Sequence, residues 1–149
     1  MSRVAIRAAE AGDYERWLVL WRGYCEALGG DVPDAVTDGV WRRILARDEP
    51  IFCLVASLPG TPVIGIANYV LHPNTWSLQD VCYLEDLFVA PEARGSGAAR
   101  ALIDGLVALG KTHNWTRVYW HTHDNNYRAR TLYDRVTPQT DYVRYDIPL

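Results

Sequence analysis

The chain has 149 residues and a formal net charge of −3. That is the length of one domain, and at this size a single core buries about 68–70% of the surface the unfolded chain would expose. Apolar residues make up 49% and charged residues 22%, as in an ordinary globule, and no run approaches the ~18 consecutive apolar residues of a membrane span. The acidic balance argues against nucleic acid as the main partner, because phosphate binding needs a basic face and the basic residues here are scattered. The first residues, Met1 to Ile6, show no secretory h-region,. Cys25, Cys53 and Cys82 are an odd number, each in an apolar stretch. They are expected to be reduced, buried thiols of a cytoplasmic protein.

In chain order, residues 4–7 read as a short first strand. Asp13 is placed to cap a helix whose apolar residues Tyr14, Trp17, Leu18, Trp21, Tyr24, Cys25 and Leu28 fall at spacings of three and four. Gly29-Gly30 stops it. A second helix is expected over 34–46, with Val40, Trp41 and Ile44 on one side. Residues 51–57 and 63–71 form two strands around a Pro-Gly turn. A polar loop, 72–80, carries Trp76. A strand follows over 81–89, then a glycine turn, a helix over 97–111, a strand over 117–121, a helix over 126–135 and a last strand over 140–147. No repeat or linker divides the chain. The order is β-α-α-β-β-β-α-β-α-β, an α/β (α+β) domain spanning 1–149.

The glycine turn is the most informative segment. A strand ends at Leu87-Phe88-Val89, and Arg94-Gly95-Ser96-Gly97-Ala98-Ala99 opens a helix. Glycines let a backbone turn sharply and approach a ligand. A helix N-terminus offers unpaired N–H groups and the positive end of a dipole, which together suit a pyrophosphate. The glycines alone fit a plain strand-to-helix turn equally well. Neither a P-loop nor a dinucleotide fingerprint is present.

Arg94-Gly95-Ser96-Gly97-Ala98-Ala99 resembles the Arg/Gln-x-x-Gly-x-Gly/Ala motif of the GNAT superfamily of N-acetyltransferases. The flanks and element order are similar too, over nearly the whole chain. The resemblance implies a mixed, mostly antiparallel central sheet flanked by helices, with acetyl-CoA as co-substrate. The pyrophosphate would be held by the amides of Gly95, Gly97, Ala98 and Ala99, with Arg94 alongside and Ser96 within the turn. The pantetheine arm would lie along Leu87, Phe88 and Val89, with a backbone N–H near Leu87 polarising the thioester carbonyl. The stretch Asn126-Tyr127-Arg128-Ala129-Arg130-Thr131-Leu132-Tyr133 resembles the family's Asn-x-x-Ala-x-x-Leu/Phe-Tyr segment. By that resemblance Asn126 binds pantetheine and Tyr133, two turns on, protonates the leaving thiolate. A lone tyrosine on an amphipathic helix otherwise reads as packing.

Glu85 and Asp86 interrupt an apolar strand. Plain alternation points them to opposite faces, and a carboxylate there needs a partner or a wet cleft. Either an arginine pairs with it, or it serves chemistry. An amine arrives as an ammonium and must lose a proton before it attacks. The string Tyr83-Leu84-Glu85-Asp86-Leu87-Phe88-Val89 resembles the matching strand of the diamine (spermidine/spermine) and thialysine acetyltransferases. The resemblance implies Glu85 as general base and Asp86 as a substrate-binding group, with Tyr24, Trp41 and Trp76 as further pocket candidates. The expected substrate is a small polyamine, diamine or amino-acid amine. The alternatives are a protein N-terminus, a lysine, an antibiotic amine, or a CoA-binding regulatory domain without turnover. A homodimer is a family expectation. The family's Gly after the tyrosine and its terminal two-stranded hairpin are absent here, where one strand is expected instead. Beside His121-x-His123 nothing but Asp124 has the spacing of a third ligand, so no metal is expected.

Overall fold

A computed structural model describes residues 3–149; Met1 and Ser2, which enter the reading of the chain's start, lie outside it. Five strands form one sheet in the order β1-β2-β3-β4-β5. These are β1 (Ala5–Ala8), β2 (Ile51–Ser57), β3 (Val63–His72), β4 (Val81–Val89) and β5 (Val118–Tyr119). The first three pairings are antiparallel, and β4 with β5 is parallel. Four helices flank the sheet: α1 (Tyr14–Ala27), α2 (Asp34–Ala46), α3 (Ala98–His113) and α4 (Tyr127–Val136). No helix among the described residues is long and apolar enough to cross a membrane.

Alternation along β2 and β3 divides the core in two. Cys53, Val55 and Ile66 face α1 and α2, where Trp17, Leu20, Trp21, Trp41 and Ile44 are buried. Leu54, Ala67 and Tyr69 face α3, whose Leu102, Ile103 and Leu106 are fully enclosed. Burial of so many large apolar side chains on both faces, at ~25 cal/mol per Å² of apolar surface, is the main stabilising term. Helix α1 lies close over β4: a Cβ on Gly23 would come within 3.0 Å of the Phe88 ring.

Three local expectations change. Asp13 does not cap α1; its carboxylate accepts from the Glu10 N–H at 2.8 Å and pairs with Arg7 at 2.7 Å. The helix is entered through a 3₁₀ turn, Ala11–Asp13, instead. Leu28 is exposed, and Leu20 takes the buried place. The strand expected over 140–147 does not form: residues 137–149 have no regular structure and expose Tyr142, Val143, Tyr145 and Ile147. These residues pair with none of the sheet's edges, and an unpaired strand does not hold itself extended by hydrogen bonds,.

Candidate active site

The site grows out of an interrupted strand pair. β5 pairs with β4 only at Cys82 and Tyr83, which leaves the rest of that β4 edge open. The Ala90 N–H donates to Ile64 on the β3 side. By alternation from there, the N–H and C=O groups of Leu87 and Val89 face the open edge. This edge can accept an extended ligand as an added strand.

Beyond β4 the chain passes through a 3₁₀ turn, Pro91–Ala93, into the glycine turn and α3. Gly95 and Gly97 have φ of 85° and 87°, values that favour glycine. The first helical bond runs from Ala101 N–H to Gly97 C=O, at 3.0 Å. The amides of Gly95, Gly97, Ala99 and Arg100 therefore have no partner among the described residues. The Ala98 amide is different, because it donates to Ser96 Oγ at 3.3 Å. The Arg100 amide, absent from the sequence reading, joins the set because it closes the first turn. With the exposed Arg94 beside them, these groups fit a pyrophosphate.

On the other side, Tyr133 is half-buried in α4 with its ring edge-on to Trp120 at 5.3 Å. Its hydroxyl has no hydrogen-bond partner among the described residues, and burial raises its pKa. Asn126 caps α4, accepting from the Ala129 N–H at 3.4 Å, which leaves its NH₂ group for a ligand. Arg130 is engaged with the Asp124 carbonyl and Gln139, so it is not a free phosphate ligand.

The acidic pair departs from the simple alternation. Asn68 pairs with Asp86 and Tyr69 with Leu84, so Glu85 is an extra residue in a β-bulge. The phase of β4 changes there. Cys82 and Leu84 pack on the α3 side before it, Leu87 and Val89 do so after it, and Phe88 packs on the α1 side. Glu85, in phase with Tyr83, and Asp86, in phase with Phe88, therefore share the α1 face rather than opposite faces. Neither carboxylate has a salt-bridge partner among the described residues. Glu85 is exposed. Burial pushes Asp86 up to about 6, opposed by the Asn68 hydrogen bond, with Glu85 adding repulsion.

Tyr24, on α1, meets this face of β4. Its hydroxyl donates to the Glu85 carbonyl oxygen at 3.3 Å. Burial first, then Asp86, raise its pKa well above the usual tyrosine range, and Tyr83 and Tyr133 act on it from the same space. The other two pocket candidates lie elsewhere. Trp41 is 6% exposed in the helix-side core, 4.9 Å from the Trp17 ring. Trp76 is 94% exposed on the β3–β4 loop, which Asn74, Ser77 and Thr116 pin in place. His121 meets the Tyr83 hydroxyl at 3.2 Å, and no group of three His, Cys, Asp or Glu that could hold a metal occurs among the described residues. Asn68 was not singled out in the sequence; its one signal there is a polar residue inside the apolar run of β3.

Comparison with known proteins agrees with this architecture. The chain is 31% identical over 144 residues to D-amino-acid N-acetyltransferase of Saccharomyces cerevisiae, covering 96% of this chain and 89% of that protein. It is 30% identical over 147 residues to thialysine N-epsilon-acetyltransferase of Bos taurus, covering 93% and 86%. Among solved structures, ribosomal-protein-alanine N-acetyltransferase from Brucella melitensis biovar Abortus 2308 superposes with a TM-score of 0.81 over 98% of this chain and 99% of that one, at 23% identity. The family model for the acetyltransferase (GNAT) family matches residues 14–137. The chain therefore belongs to the GNAT family and is an N-acetyltransferase.

Proposed function

We propose that the protein transfers an acetyl group from acetyl-CoA to the primary amine of a small amino acid, diamine or polyamine by direct attack in a ternary complex. The observation that carries the amine assignment is the bulge in β4, which sets two carboxylates on one face, neither with a salt-bridge partner among the described residues. Two acids without a salt bridge, Asp86 half-buried and Glu85 exposed, favour a cationic ligand,. The relatives named for D-amino acids and thialysine favour an amino-acid amine within that class.

Acetyl-CoA supplies the acetyl group as an activated thioester. The free amides of Gly95, Gly97, Ala99 and Arg100, with Arg94, would hold its pyrophosphate. Leu87, Phe88 and Val89 would line its pantetheine arm, and the Asn126 NH₂ group would hydrogen-bond it. Asp86 binds the ammonium. Glu85, exposed at the bulge, takes its proton directly or through water and exchanges it with solvent. The Leu87 N–H, on the open edge, faces the developing oxyanion. Tyr133 gives its proton to the leaving thiolate.

The fit of the glycine turn is tested by Gly97→Val. At φ 87° a branched side chain is strained by about 1–2 kcal/mol and fills the approach to the amides. The KM for acetyl-CoA is expected to rise at least about tenfold, which corresponds to ~1.4 kcal/mol of binding, with little change in the KM for the amine. The reaction itself is tested by thiol release from acetyl-CoA with D- and L-amino acids, thialysine, lysine, putrescine, spermidine, aminoglycosides and short peptides. Turnover of amino acids, thialysine or small polyamines is expected. Turnover confined to peptides or aminoglycosides overturns the substrate class, and tight acetyl-CoA binding with no transfer overturns catalysis in favour of a regulatory domain.

We also propose a cytoplasmic homodimer. Three free cysteines, two of them buried, support a reducing compartment,. The exposed apolar run Tyr142, Val143, Tyr145, Ile147 and Leu149 supports burial against a second copy,.

A further inference from the structure

We infer that Asn68, held in one amide orientation by Trp17, is a positioning residue that fixes the Asp86 carboxylate on the face it shares with Glu85 and keeps it charged. The inference rests on the reading of Asp86 as the ammonium-binding group.

Asn68 is 3% exposed in the middle of β3, where an unbonded amide would be strongly unfavourable. Its Oδ1 accepts from Trp17 Nε1 at 3.3 Å, and its Nδ2 donates to Asp86 Oδ2 at 3.1 Å. An indole nitrogen can only donate, so it fixes which end of the amide faces α1. The NH₂ group is left with one direction, across the sheet to Asp86. The register puts the two residues directly opposite each other at the edge of the bulge. The contact thus sits where β4 changes phase.

The titratable and polar groups within electrostatic reach of Asp86 come from four elements. They are Tyr24 and Cys25 on α1, Cys53 on β2, Asn68 on β3, and Tyr83 and Glu85 on β4. None is a cation. Only Asn68 and Tyr24 oppose the effect of burial on the carboxylate. Without the Asn68 NH₂ group, desolvation and the Glu85 charge act almost unopposed, and Asp86 holds its proton into the pH range where the amine must bind.

The test is a ¹³C NMR titration of the Asp86 carboxyl in the full chain, run beside the pH profile of kcat/KM for the amine. In Asn68→Leu the Asp86 midpoint is expected to move up by about one pH unit or more, the size of a lost hydrogen bond to a charge. The acid limb of kcat/KM should move with it, while kcat at high pH stays near that of the parent. Trp17→Phe keeps an aromatic ring but frees the amide to rotate, and should shift the midpoint in the same direction. It decides the matter if Asn68→Leu does not fold. A midpoint unmoved in the folded variant, or a kcat loss equal at every pH, overturns the inference. If no amine is turned over at all, the substrate reading fails while the titration still decides the link between Asn68 and Asp86.

Discussion

Tyr133→Phe is expected to lower kcat by about 10²- to 10⁴-fold, the range for losing a positioned general acid, and to leave the fold intact. The aromatic ring is what packs, against Trp120, and phenylalanine keeps it. The hydroxyl binds nothing among the described residues, so its removal leaves no orphaned partner and should change stability by less than about 0.5 kcal/mol. Burial raises the tyrosine pKa, so the group is still an O–H donor at the pH where the amine is deprotonated. The KM values for acetyl-CoA and amine should change little, because the proton is needed only as the thiolate leaves. Steady-state kinetics and a thermal melt check both halves. Full turnover in the variant removes Tyr133 from the mechanism.

Asp86→Asn is expected to abolish amine turnover and to make the protein more stable. Folding raises this carboxyl from 3.8 to about 6, so the native state prefers the protonated form. The stability that preference supplies is complete below pH ~4 and is lost as the pH rises through about 6. Above that the native state carries a desolvated charge at a cost of up to about 3 kcal/mol, two pKa units at 1.36 each. Asparagine is neutral at every pH and can still accept from Asn68. Denaturant unfolding should show the variant ahead at pH 7.5 and level with the parent near pH 4. Glu85→Gln serves as the contrast: it should lower kcat and move the acid limb of kcat/KM that Asp86 sets to lower pH, because the repulsion that Glu85 adds is lost. A parent as stable as Asp86→Asn at pH 7.5 would mean the carboxylate is solvated rather than strained. Such an exchange of stability for an uncompensated charge is common where a ligand completes the electrostatics.

The parts of the site that depend on local chain chemistry were legible in the sequence. Gly95 and Gly97 stand where the sequence calls for a sharp turn, and both have positive φ. Asn126 stands at the head of α4, with Tyr133 two turns along it. What failed was long-range. The bulge at Glu85 depends on how β4 registers against β3, and alternation in one strand cannot reveal it. Trp41 was a pocket candidate because aromatic residues often line sites; the packing of α2 on α1 makes it core. Asn68 had no motif around it, and its meaning comes from Trp17, 51 residues earlier in the chain, and Asp86, 18 later. The expected final strand shows the opposite failure, since Tyr142, Tyr145 and Ile147 carry a strand-like pattern yet pair with no edge of the sheet.

The bulge also separates what β4 owes to the sheet from what it lends to chemistry. Asn68 faces Asp86 and Tyr69 faces Leu84, so the ladder on either side would close residue for residue if Glu85 were taken out. Glu85 is a supernumerary position, tolerated by the architecture and required by none of its pairings. A change of side chain there leaves the ladder pairings on either side in place. In this sheet it is a place where a proton-accepting group is seated without any change in how the strands around it pair.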